Sequence, residues 1–166
     1  RLLRDLPMAS SDPRGVVRVL IVVDESTTPS VTYQVPVVER PSASAPSDHV
    51  IGTTADGHVM VDGPHDRAYT DALLSEVAPS IQGMQKAPGA RSVEARVLSG
   101  EQSNTSIIFH PAGAGPVICK VFRQLHPGIN PDIELQTALA ATGSVHVPRA
   151  IGDLQGYWED SRDPGS

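Results

Sequence analysis

Short apolar runs separated by turn-forming residues dominate this chain. Residues 16–23 (VVRVLIVV) and 31–40 (VTYQVPVVER) are rich in Val, Ile, Thr and Tyr and are divided by Asp24, Glu25, Ser26 and Pro29. Branched and aromatic side chains suit a pleated surface, so the two runs predict consecutive strands joined as a hairpin. Residues 49–53 and 58–61 flank Ala55-Asp56-Gly57, and Asp-Gly is a turn signal for a second hairpin. Gly63-Pro64 then opens a helix in which Tyr69, Ala72, Leu73 and Val77 recur at helical spacing. They form one face able to cover a small antiparallel sheet.

Residues 1–80 therefore read as an antiparallel-sheet-plus-helix domain, and residues 81–92, with Gly83, Lys86, Pro88, Gly89 and Arg91 in no sustained period, as a linker. A second block spans residues 93–166. Val93, Ala95 and Val97 alternate with polar neighbours, and residues 105–110 and 117–122 follow as two more strands. Asn130-Pro131-Asp132 supplies an N-cap amide, a first-turn proline and a first-turn carboxylate for a helix. Leu135, Ala138, Leu139 and Thr142 are its expected buried face, with Gly143 as its stop. Residues 150–159 suggest a further strand or hairpin. The fold class is α+β.

Composition narrows the function classes. A formal charge of −6 and a pI near 5.4 argue against a nucleic-acid or anionic-membrane binder, which needs a net basic surface. No apolar run is long enough to span a bilayer, and the first ten residues lack the apolar stretch of a secretion signal. Cys119 is the only cysteine, which excludes an internal disulfide and fits a reducing compartment; a cytoplasmic location is expected. The thiol reads as a small apolar filler. His49, His58, His65, His110, His126 and His146 show no close ligand spacing, so no metal site is assigned.

In the second block the order is strand, polar turn, strand, lysine-bearing strand, then a helix with an early glutamate. That is the order of parts in the small lobe of protein-kinase-like folds. The polar turn is residues 99–106, where Gln102, Ser103, Asn104, Thr105 and Ser106 offer small polar side chains and backbone N–H groups to an anion. Taken as a motif alone, with a single glycine, it reads first as a plain hairpin turn. Lys120 shares a strand face with Ile118 and Phe122, where a buried ammonium needs an anionic partner such as Glu134 and a phosphate. An edge lysine reaching for water is the alternative. Glu134, at the rim of the helix face, is either that partner or a solvated first-turn carboxylate.

The strings EQSNTS (101–106), VICKVFR (117–123), NPDIEL (130–135) and VPRAIG (147–152) resemble the nucleotide-binding lobe of bacterial maltokinases. YQVPVVER (33–40), IGT (51–53) and VDGPHD (61–66) resemble the N-terminal cap of those enzymes and of trehalose synthase fusions that carry the same kinase. The resemblance implies a partial protein-kinase-like N-lobe after a cap domain, and an enzyme that uses ATP and Mg2+ to phosphorylate the anomeric hydroxyl of maltose. It carries residues 102–106 onto the phosphate-binding loop, Lys120 onto the phosphate-contacting lysine and Glu134 onto its helix partner. Asp62, Gly63, Pro64, His65 and Asp66 match a cap motif that reads as a turn and helix N-cap.

The family's catalytic loop and Mg2+-binding segment do not occur in these 166 residues, so the chain alone is expected to be inactive, without metal ligands of its own. A partner is then the remaining kinase lobe or a trehalose synthase. Two rival readings stand beside the maltokinase one: a related glucosamine kinase, and a non-catalytic interaction module.

Overall fold

The computed structural model describes residues 1–44, 48–78, 93–99, 103–111, 115–143, 146–148 and 150–156. Nine strands are described: β1 (Leu2–Met8), β2 (Val16–Asp24), β3 (Val31–Pro41), β4 (Val50–Thr53), β5 (His58–Asp62), β6 (Glu94–Val97), β7 (Asn104–His110), β8 (Val117–Phe122) and β9 (Gln124–Leu125). Helix α1 (Arg67–Val77) follows β5 after a 3-10 turn at Gly63–His65, and α2 (Pro131–Ala141) follows β9. All strand pairings are antiparallel, and the α+β class follows.

The first sheet runs β1-β2-β3-β5-β4, with β9 added to β3. Val17, Val38 and Val61 face one another across β2, β3 and β5 and are almost completely buried. Each such valine contributes about 1.5–3 kcal/mol relative to an exposed position. Gly57, at φ +86 in the β4–β5 turn, has the left-handed backbone that glycine adopts freely. The hairpin is the one the Asp-Gly pair predicts.

α1 starts on Asp66, whose side chain accepts from the Ala68 N–H at 2.8 Å. The chain reaches that cap through Gly63, where a Cβ would lie 2.8 Å from Pro36 Cβ; only glycine allows so close an approach. The helix buries Ala68, Tyr69, Thr70, Ala72, Leu73 and Leu74. These positions sweep about 240° around the axis, so α1 has packing neighbours on more than one side.

The second sheet, β6-β7-β8, supplies one of those neighbours. Its Ile107, Phe109 and Val121 join Val17, Val38 and the α1 side chains in one apolar cluster. The residues read as a linker, 81–92, lie outside the described residues, yet the segments before and after them share a core. Hydrogen bonding adds to it: β9 extends the first sheet through Thr32 and Tyr33, and the Gln34 side-chain Nε2 donates to the Phe122 carbonyl at 2.6 Å.

Two expectations are corrected. α2 starts on the Asn130 cap and ends at Gly143 with φ +71, as its sequence predicts, but none of its residues is buried and Leu135 is 60% exposed. Ile133, Leu135, Ala138, Leu139, Ala140 and Ala141 surround the axis, so the sequence defines no single stripe for a packing layer. Residues 150–156 form neither strand nor helix, and 157–159 lie outside the described residues.

Candidate functional site

β7 and β8 pair Asn104 with Phe122, Thr105 with Val121 and Ser106 with Lys120. Alternation sends Thr105, Ile107, Cys119 and Val121 to the core side and Asn104, Ser106, Ile118, Lys120 and Phe122 to the opposite face. Ser106 is buried there, beside Lys120. Three of the five residues expected in an anion-binding loop, Asn104, Thr105 and Ser106, are therefore paired strand residues. Ser103 is exposed just before the strand, and Gln102 lies outside the described residues. The Asn104 side-chain oxygen is buried and accepts no hydrogen bond among the described residues.

Lys120 meets a carboxylate, but not the expected one. Its Nζ lies 3.4 Å from Asp132 Oδ2, whereas Glu134 is exposed and forms no ion pair among the described residues. The cause is helical phase: two residues rotate a side chain by about 200°, so a helix that presents Asp132 to β8 turns Glu134 away. The Asn130 cap fixes that phase, its Oδ1 accepting from the Asp132 N–H at 2.9 Å. With 35% of the Lys120 side chain and 49% of the Asp132 side chain exposed, the pair contributes about 0–1 kcal/mol and is easily exchanged for another anion.

Next to this face, Arg123 joins the two sheets. Its Nη2 donates to both Asp62 carboxylate oxygens at 2.8 Å and its Nε to Thr105 Oγ1 at 3.0 Å. Its N–H donates to the Ser103 carbonyl at 3.2 Å, and its own carbonyl accepts from the Gln34 N–H at 2.9 Å. His65 Nε2 approaches Asp62 at 3.9 Å, and the His65 ring stacks on His49 with centroids 3.5 Å apart. Burial, reinforced by His49, pulls the His65 pKa below its ordinary value against the opposing pull of Asp62.

These contacts were invisible in the spacing of the histidines or of Arg123, because their partners are distant in sequence. Cys119 packs against the core, and burial pushes its thiol up to about 11; it is a filler, not a nucleophile. A cavity of about 370 Å3 between the start of α1 and β6, lined by His65, Arg67, Thr70 and Glu94 among others, touches neither Lys120 nor residues 103–106.

The β1 to β5 sheet ends in an Asp-Gly-Pro-His-Asp turn that caps a helix and supplies Asp62 to the second sheet. Residues 1–66 match the maltokinase N-terminal cap domain. The match to the maltokinase cap ends on Asp66, the residue that caps α1. Everything from α1 onward, including Lys120 and Asp132, lies beyond it. The matched segment thus contributes the carboxylate that grips Arg123, three residues after Lys120. No described helix is long and apolar enough to cross a membrane.

Proposed function

We propose that this chain is the N-terminal part of an ATP-dependent sugar kinase that phosphorylates maltose at its anomeric hydroxyl in the cytoplasm, acting with the rest of the kinase or with a trehalose synthase. The observation that carries this reading is the match of residues 1–66 to the maltokinase cap. The face of the second sheet supports it: an ammonium held by one exchangeable carboxylate, above a buried hydroxyl, has the chemistry to take phosphate oxygens.

ATP would supply the phosphoryl group and Mg2+ would neutralise its developing charge; no Mg2+ ligand is assigned among these residues. Lys120 exchanges Asp132 for the phosphates and orients them. Ser106 and Asn104 line the same face, and Asp132 holds the Lys120 ammonium in place in the absence of nucleotide.

The test is a coupled ATP-consumption assay of the complete gene product with maltose and glucosamine side by side. Turnover with maltose is the expected result, and turnover with glucosamine alone would reassign it to an aminosugar kinase. Lys120→Ala should lower turnover by about 100-fold or more with an unchanged melting curve. Unchanged turnover in that variant removes Lys120 from the site.

The exposed Glu134 and the unburied α2 favour a second reading, a non-catalytic interaction module. No turnover with either sugar and no effect of ATP on thermal stability would select it.

A further inference from the structure

We propose that Glu39, Asp56 and His58 form a binding site for a divalent transition-metal cation, Zn2+ by its ligand chemistry, at the β3–β5 end of the first sheet. The proposal is independent of the kinase reading and involves none of the residues in it.

The fold brings the three together from separate elements. β3 and β5 pair Glu39 with Met60 and Pro41 with His58, which makes Glu39 and His58 diagonal neighbours on one face of the sheet. The turn through Gly57 at φ +86 folds Asp56 back beside His58. One ligand atom from each lies within 4.8 Å of the other two. His58 Nδ1 is 3.0 Å from Asp56 Oδ2 and 3.9 Å from Glu39 Oε1.

Zn2+ bonds of about 2.0–2.2 Å at tetrahedral angles place neighbouring ligand atoms about 3.3–3.6 Å apart. The observed separations bracket that range, so small side-chain adjustments suffice. The outer groups are arranged as a metal site needs them. Thr54 Oγ1 donates to Asp56 Oδ1 at 2.5 Å, leaving Oδ2 toward the imidazole. Arg18 Nη2 lies 3.5 Å from Glu39 Oε2, leaving Oε1 toward it as well.

The Asp56 side chain is 66% exposed and that of His58 39%, so water has access to a fourth position. Two carboxylates and a neutral imidazole balance a dication, and the mixed nitrogen and oxygen set favours Zn2+ over Mg2+ or Ca2+.

The experiment is calorimetric titration of the chain with Zn2+ in a non-chelating buffer, with Co2+ substitution read by its visible absorption. One saturable site is expected. It should be lost in both His58→Ala and Asp56→Asn, and weakened by about tenfold or more in Thr54→Val, the scale for outer-shell partners. His65→Ala and His126→Ala should leave it intact. The absence of saturable binding, or binding that survives in a folded His58→Ala or Asp56→Asn chain, would overturn the assignment.

Discussion

Arg123 grips the carboxylate of Asp62 through two 2.8 Å contacts across 61 residues of sequence, and so ties the junction between β8 and β9 to the end of β5. Both side chains are about four-fifths shielded from water. Arg123→Ala should cost about 1–2 kcal/mol, the scale for charge-assisted hydrogen bonds, read as a lower urea midpoint. Arg123→Lys should recover little of it, because an ammonium cannot hold Asp62 and Thr105 with one planar fork. Full recovery would mean that charge alone matters there.

Arg40 and Asp66 carry a larger share of stability. They form a buried two-point ion pair, with Arg40 Nη1 also reaching Asp12 at 2.9 Å, and Asp66 caps α1 as well. Asp66→Ala should destabilise by about 3–5 kcal/mol by leaving Arg40 buried and half-paired. Asp66→Asn keeps a capping oxygen and should be milder by about 1 kcal/mol. Equal losses in the two variants would show that the cap contributes nothing.

His65 gives the fold a pH dependence of definite sign. Its native pKa lies below the ordinary 6.5, so between the two values the unfolded chain binds the extra proton and stability falls as pH falls. The groups facing it are His49, Asp62 and Arg123. Between about pH 7.5 and about pH 5.5, the melting temperature should drop further in the natural chain than in His65→Gln. Parallel drops would place the dependence elsewhere.

Cys119 should resist alkylation in the folded chain. With its thiol pushed up to about 11, little thiolate is present near about pH 8. Iodoacetamide labelling followed by mass spectrometry should be slow in buffer and fast in urea. Rapid labelling of the folded chain would contradict its packing role.

Local signals carried most of the fold. The Val-rich runs at 16–23 and 31–40, the Asp56-Gly57 turn and the Asn130-Pro131 cap each set their element through nearby residues, and each is present. β1 was not legible, since Arg4, Asp5 and Pro7 break its pattern; an edge strand tolerates them because one side needs no partner. The candidate site was legible only as far as Lys120 and its face. Helical periodicity said that α2 has an inward side somewhere, but the phase that selects Asp132 over Glu134 depends on how the helix meets β8. The partners of Arg123, Arg40 and His58 are set by strand register, which no short window of sequence encodes.

The placement of α1 bears on how this protein can be divided. The cap match stops at Asp66, while the helix that shields Val17 and Val38 begins at the next residue and is itself wedged against Ile107, Phe109 and Val121. A segment cut at that point would present a bare valine face to water and a carboxylate with no helix to start. Autonomy, in this chain, begins downstream of the boundary that sequence similarity draws.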